Sequence, residues 1–486
     1  MTANKKTIHY IVTAFFLLNT FLFSYNPANA QGSSSPYSRY GLGDVNSRSH
    51  GQTFAMGGTS LAMQNDTSEL GGMFFINNAN PASYANMRLT TAELGLNYNR
   101  LRLQSTDAHK TLNNASFGYV NIAFPIFKKW WGASIGLLPY SSVGYKISDQ
   151  ESLPNIGGID YVYEGTGGVS QVYFGNGIKP LYGLYSSFLH SNRYQRLKKE
   201  GEVYKARKIA KRKKSWQALS LGVNASYLFG NIDNTKTSIF SSGGFYNTRT
   251  GTTSRIGDMY FDYGAQYSII IDSLHGRDLK ENVKILFGAT FAAQTNVQAK
   301  IDSLSYNYYT SSTGYEIVKD TAEFVNGHKG TVTLPLSFGF GIGFKKGDRW
   351  LVAADFAMQN WSSYQAFNSN EGLKNSMRVS LGMQYVPNTN ATIGHYMQRV
   401  NYRAGLRYAE TSLDLKNSQL NEYALSLGAG FPVGRNYILR SFSMINIGVE
   451  VGQRGTTTNG LIKEQFFKAT VGFTINDRWF QKSRID

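Results

Sequence analysis

Beyond residue 30 the chain carries six histidines, His50, His109, His190, His275, His328 and His395, the residues best fitted to acid–base catalysis or metal binding. No two fall at metal-binding spacing, and the sequence has no cysteine to complete such a site. Hydrolase chemistry at a membrane would need Ser, His and an acidic or amide group gathered at one place, and the order of residues shows no such gathering. Gly339, Gly341 and Gly343 are spaced like a phosphate loop, but no Gly-Lys-Ser or Gly-Lys-Thr follows them. The expectation is a protein that is not an enzyme and holds no metal or cofactor. Asp355, Arg378 and Glu450 stand within alternating apolar stretches, where a charge needs a partner: a neighbouring side chain or a bound solute. A second concentration of charge brings Lys198, Lys199, Lys205, Arg207, Lys208, Lys211, Arg212, Lys213 and Lys214 together against only Glu200 and Glu202.

The elements that must carry these residues are strands. In the segment 467–475, Phe467, Ala469, Val471, Phe473 and Ile475 alternate with Lys468, Thr470, Gly472 and Thr474, so one face is apolar and the other is not. The pattern returns along the chain. Leu219, Leu221, Val223, Ala225, Tyr227 and Phe229 oppose Ser220, Gly222, Asn224 and Ser226, and Met377, Val379, Leu381 and Met383 oppose Arg378, Ser380, Gly382 and Gln384. Val120, Ile122, Phe124 and Ile126 oppose Tyr119, Asn121 and Ala123, while Ile445, Ile447, Val449 and Val451 oppose Asn446, Gly448 and Glu450. There are about fourteen such runs, beginning near Thr91, Ser116, Gly132, Tyr161, Ala218, Ile256, Val283, Thr331, Trp350, Met377, Arg403, Glu422, Phe442 and Phe466.

What lies against the apolar face follows from the first thirty residues. Lys5 and Lys6 precede an apolar run over 11–23, and Ala28-Asn29-Ala30 has the small-x-small form of a cleavage site, so residues 1–30 read as a signal peptide. An exported chain without a second long apolar segment that alternates throughout is expected to be an all-β, transmembrane antiparallel β-barrel of about fourteen strands in the outer membrane of a Gram-negative bacterium. Composition agrees: 50 Gly, 32 Tyr, 30 Phe and only 10 Pro, with a negative mean hydropathy, suit strands facing lipid on one side and water on the other. The formal charge of +18 would suggest a nucleic-acid partner for a cytosolic protein, whereas an exported one meets outer-membrane lipid and lipopolysaccharide.

With the first strand running outward, 125–131, 345–349 and 432–437 become periplasmic turns, and 235–254, 306–329 and 366–374 become extracellular loops. One periplasmic connection, about 178–216, is far too long for a turn and holds the basic segment, whose composition suggests a helix. It could lie solvated, or meet anionic lipid or a periplasmic or membrane protein partner. Tyr306, Tyr308, Tyr309 and Tyr315 serve either to capture cargo or to anchor the rim.

Ahead of the strands, Ala55-Met56-Gly57-Gly58-Thr59-Ser60-Leu61-Ala62, then Asn65-Asp66-Thr67-Ser68 and Asn78-Ala79-Asn80-Pro81-Ala82-Ser83-Tyr84, resemble the N-terminal plug of the FadL-type outer-membrane transporters for hydrophobic compounds. The segment 163–173, Asn476-Asp477-Arg478-Trp479-Phe480 and the opening 35–43 extend the resemblance, the last toward a Bacteroidota branch, and Trp479-Phe480 is similar to the aromatic ending recognised by barrel-assembly machinery. It implies that residues 31–88 form an N-terminal segment and luminal plug and 89–486 the barrel. Gly57, Gly58, Asn80, Pro81 and Ala82 would then gate a passage or fix tight turns. The family's third strand carries a kink that opens a side passage, and here Pro139, Tyr140 and Ser141 occupy that strand, where proline cannot donate to the ladder. The implied activity is passive uptake of hydrophobic small molecules such as long-chain fatty acids, with lateral exit into the membrane. The basic insertion departs from the family pattern and keeps an alternative open, a non-transporting barrel acting as scaffold or subunit of a secretion or assembly complex.

Overall fold

The computed structural model describes residues 35–65, 74–106, 108–127, 130–154, 156–182, 196, 218–242, 244–271, 283–389, 391, 393–436 and 441–477. All strand segments belong to one sheet that closes on itself. Two segments, Asp44–Val45 and Gln365–Ala366, are short additions, and two pairs are single strands broken by a gap, which leaves fourteen barrel strands. They are β1 (Thr90–Gln104), β2 (His109–Phe127), β3 (Trp131–Leu153), β4 (Gly157–Ile178), β5 (Ser220–Phe240), β6 (Asn247–Ile271) and β7 (Val283–Ala292 with Thr295–Thr310). The other seven are β8 (Glu316–Leu334 with Ser337–Lys346), β9 (Trp350–Gln359), β10 (Ser376–Tyr385), β11 (Asn401–Leu415), β12 (Ser418–Asn436), β13 (Ser441–Arg454) and β14 (Lys463–Asp477). Neighbours pair antiparallel, and β14 closes on β1, with Phe473 opposite Leu94 and Lys463 opposite Gln104.

The alternation read from the sequence sets the two faces. Leu221, Tyr227, Phe229, Val379, Leu381, Met383, Ile447, Val451, Phe467 and Ile475 point away from the barrel, while Ser220, Asn224, Ser226, Ser380, Asn446, Glu450, Thr470 and Thr474 are buried inside it. The shortest strands, β9 and β10, have 10 residues each, the length that a tilted strand needs to cross the hydrocarbon layer. Phe127, Trp130 and Trp131 cluster with ring centroids 5.2–5.9 Å apart at the end bearing the short connections, a place where interfacial aromatics are favoured.

That turn end differs from the opposite end, here termed the crown. Around the turn end every strand is paired on both sides, through 120–127 with 131–137 between β2 and β3 and 337–346 with 350–359 between β8 and β9. Beyond Leu137 the β2–β3 ladder stops, and beyond Ser337 strand β8 leaves β9, so the crown parts into two leaves, one of β3–β8 and one of β11–β14, β1 and β2. Two segments span the partings. Asp44–Val45 pairs with Ser142 and Ser141 of β3, while Tyr37 of the same segment exchanges hydrogen bonds with Ile462 beside β14. The β9–β10 connection pairs with β8 through Gln365–Ala366 and with β11 through Lys374, whose amide donates to the Ser412 carbonyl.

The crown corrects the loop expectation for 235–254 and 306–329, most of which is strand: β5 runs to Phe240, β6 starts at Asn247, and β7 and β8 run to Thr310 and from Glu316. Outside lipid a ladder needs no apolar face, so alternation fails as a signal there. The signal peptide, Trp479-Phe480 and all nine basic residues named above, Lys198 to Lys214, lie outside the described residues, as does nearly all of the insertion 178–216.

Candidate functional site

The segments 48–65 and 74–87 lie against the luminal wall and are folded by their own turn chemistry. A short helix, Gly51–Phe54, runs into Gly57 and Gly58, whose φ angles of 68° and 83° no side-chain-bearing residue adopts readily. Asn65 closes a loop on Phe75 in both directions at 2.9 Å, and Asn77 donates to the carbonyls of Ser60 and Met63. Asn80 caps the 3-10 helix Pro81–Asn86, accepting from the Ala82 amide, and Pro81 opens it where a missing N–H costs nothing. The Asn80 amide donates to Leu61 at 2.8 Å and to the wall carbonyl of Ala265 at 3.2 Å, so this residue fixes a turn and fastens it to the barrel.

The plug meets the wall where the wall has no side chains. At Gly132, Gly222, Gly264, Gly288, Gly382 and Gly405 an added Cβ would stand 2.0–2.5 Å from plug atoms of Tyr84, Pro81, Asn80, Leu61 and Met56. Gly132 and Gly222 both pair with Gly177, and Gly222 pairs with Gly264, so these glycines form a row on adjacent strands at one height. Gly341, Gly428 and Gly448 continue the contacts on β8, β12 and β13, against Ala62, Ala55 and Phe54. On the remaining strands side chains reach the plug. Glu93 of β1 accepts from the Ile76 amide at 3.2 Å, Tyr119 of β2 packs on His50 at 4.2 Å, and Asp355 of β9 accepts from the amides of Ser60 and Leu61 at 2.6 and 2.9 Å. Gly472 of β14 faces Gly51 of the plug, where an added Cβ would stand 3.4 Å from the Gly51 Cα, and Thr474 donates to the same Glu93 oxygen at 3.3 Å.

Of the charges singled out from sequence, Asp355 is therefore a plug anchor. Glu450 belongs to a wall cluster in which Arg407 bridges it at 2.8 Å and Glu422 at 2.7 Å, with Ser426 donating to its other oxygen. Arg378 shares the luminal face with both, one luminal position crownward of Ser380, which pairs with Asp355 on one side and Arg407 on the other. Several charged residues were not singled out. Arg48 of the plug pairs with Asp262 at 2.8 Å, Arg403 is held by Gln384 and Asn446, and Arg454 joins Asp44 and Glu464 at 2.8 and 2.7 Å. For Asp262, Arg403, Arg454 and Glu464 the signal was luminal parity within the same alternating runs, while Asp44 and Arg48 precede the strands and had none.

His50 sits beneath this network. Burial, reinforced by the nearby Arg48 cation, pushes its imidazole down from 6.5 to about 4, so it is neutral at neutral pH. Burial likewise pushes the Tyr37 phenol up to about 12, leaving it free to exchange hydrogen bonds with Ile462 as a neutral group.

Pro139 lies one residue past the buried Leu138, where β3 has already left β2 and its ladder with β4 slips between Pro139 and Ser141. Tyr140 accepts from the Asn46 amide at 2.9 Å, and Ser141 pairs with Val45, so the N-terminal segment occupies this freed edge. Inside the crown the lumen is apolar: Tyr37, Leu42, Val143, Leu228, Tyr260, Val297, Trp361 and Leu373 are among the members of one buried cluster. Among the described residues no group of His, Asp or Glu could hold a metal ion.

Fourteen antiparallel strands with an apolar outer face, closed around a folded N-terminal segment held against the inner wall, define a transmembrane β-barrel of the outer-membrane type. The BamG family profile matches residues 8–186 and 189–486, and the chain belongs to that family. No curated protein matches the sequence. Among solved structures, the Pseudomonas putida toluene transporter TodX is similar at 14% identity over 90% of this chain and 100% of its own, with a TM-score of 0.52. A deltaS2S3 mutant of the TodX monoaromatic hydrocarbon channel is similar at 14% identity over 86% and 98%, again at 0.52. A Pseudomonas aeruginosa FadL homologue is similar at 10% identity over 90% and 99%, at 0.49. The likeness to TodX is one of barrel fold.

Proposed function

We propose that this protein is a plugged barrel serving as a subunit or scaffold of an outer-membrane secretion or assembly complex. One observation carries the reading: all fourteen strands touch the plug, most of them through glycines that leave no room to spare. Opening a passage through the turn end would break the Arg48–Asp262 pair and the Asp355, Glu93 and Asn80 bonds together, a cost that a simple diffusion pore has no means of meeting. Membership of the BamG family supports the same reading. Orientation follows the short turns, with the turn end periplasmic and the crown extracellular. The basic insertion 178–216 would then face the periplasm, available to a protein partner or to anionic lipid.

A specific observation also favours a second reading, passive uptake of hydrophobic small molecules such as long-chain fatty acids with lateral exit. The crown lumen is apolar, and the wall parts beside Pro139 just where the lipid-facing Leu137 ends the β2–β3 ladder. In that account solute would enter from the crown and leave through the parting once the Asp44–Val45 pairing with β3 gives way, driven by partition into lipid.

Purification from native membranes in mild detergent separates the two. A complex of fixed composition that is lost when residues 190–214 are deleted, with uptake of apolar solute unchanged, is the expected result. A chain that purifies alone, and whose Pro139→Val variant takes up less apolar solute in reconstituted vesicles, would refute the subunit reading in favour of the channel.

A further inference from the structure

The crown leaf ends on a strand with one side open. Between Glu316 and Gly330, β8 is paired with β7 on one side, whereas pairing on its other side begins only at Val332 and Thr333, with Ala366 and Gln365. The Phe367 amide adds a bond to the Thr331 carbonyl at 3.0 Å, and the chain then turns off the edge through Phe367 and Asn368, both left-handed at φ 50° and 64°. Residues 316–324 are exposed on both faces of the ribbon, including Val318 at 56% and Phe324 at 70%.

An open strand edge presents backbone donors and acceptors at every second residue, and proteins usually blunt it with proline, shorten it or cover it. The sequence from 316 to 330 contains no proline, though Lys319, Asp320, Glu323 and Lys329 guard it against indiscriminate pairing. It does contain bulges, between Val318 and Asp320, Thr321 and Glu323, and Val325 and His328, which divide the edge into short runs. Such an edge suits a short extended segment better than a long sheet-to-sheet fusion. Free-standing hairpins are marginal in water, and the apolar Val318 and Phe324 gain from a cover.

We infer that the crown edge of β8 receives an extended strand from a second protein on the cell exterior, antiparallel to β8 and continuing the line begun by Gln365–Ala366. The backbone is what recognises it, with Val318 and Phe324, opposite Tyr308 and Leu304 of β7, supplying apolar contact on one face. The inference rests on the subunit reading and names where one partner binds.

Hydrogen exchange on the native-membrane complex and on the barrel stripped of partners tests it. Amides within 316–330 should exchange at least tenfold more slowly in the complex, at alternate residues. Asp320→Pro and Thr321→Pro, one of which removes an outward N–H, should give one variant that loses both partner and protection while amides of 303–307 on β7 exchange as before. A complex that forms with no protection at 316–330 overturns the inference and leaves the subunit reading standing. A barrel that purifies alone overturns both. Protection that arises in the isolated chain as its concentration rises overturns the second-protein assignment in favour of a second copy of this chain.

Discussion

The two ends of this barrel solve the same problem, satisfying a luminal wall, in opposite ways. At the turn end every strand is paired twice and the lumen is filled by a plug seated on glycine, with Arg407, Glu422 and Glu450 locked beside it. At the crown the ladder parts into two leaves, bridged by the N-terminal segment and the β9–β10 connection, and its ion pairs include exposed ones such as Lys146–Glu164. Rigidity belongs to the first and adaptability to the second. The two bridges meet where the Gly41 amide donates to Glu371 at 2.6 Å. The joining of the two crown leaves thus depends on a few local contacts where the turn end is closed by continuous ladders.

Breaking a buried ion cluster should separate the ends most sharply. Arg407→Met leaves two carboxylates without their shared cation and should cost about 3–5 kcal/mol, whereas Lys146→Met at the crown should cost at most about 1 kcal/mol, both read from urea unfolding in lipid. Next is Gly405→Val, which puts a side chain where Met56 backbone stands at 2.1 Å. It should destabilise by about 3 kcal/mol or unseat the plug, while Gly251→Val at the crown, with nothing within 4 Å, should be close to neutral. Acid should then attack the turn end selectively. Because His50 has a folded pKa of about 4 against an ordinary 6.5, its contribution is complete above 6.5 and is lost as pH falls from there through 4. His50→Leu should flatten that part of the stability profile. Smallest is Asn46→Pro, which removes one bond to the Tyr140 carbonyl and should cost about 1 kcal/mol, seen as faster exchange at residues 141–144 with the rest of the barrel unchanged.

Much of the turn end was legible because lipid imposes a strict rule on it. Each of the fourteen run starts falls in a barrel strand or, at Ala218, just before one, and the faces of 219–229 and 377–383 were assigned as they stand. The turn chemistry of Gly57, Gly58, Asn80 and Pro81 was likewise written locally. What these residues touch was not, since the glycine row joins strands far apart in the chain to a segment that precedes all of them in sequence. Gly341 was read only as the small side of a strand, yet it is small because Ala62 and Leu61 approach it. The crown was least legible. Outside lipid nothing forces alternation, and the partings beside Leu137 and Ser337 depend on neighbours that the order of residues does not reveal.

Glu93 has a consequence for how the molecule is made. It sits on the first strand, receives its plug bond from Ile76 and its seam bond from Thr474 of the last strand, and Thr91 donates to Asn476 alongside. The zip between first and last strands therefore has teeth cut partly from the plug. A plug laid wrongly would leave the buried Glu93 carboxylate with its seam bond alone, short of a partner at the place where the ring closes.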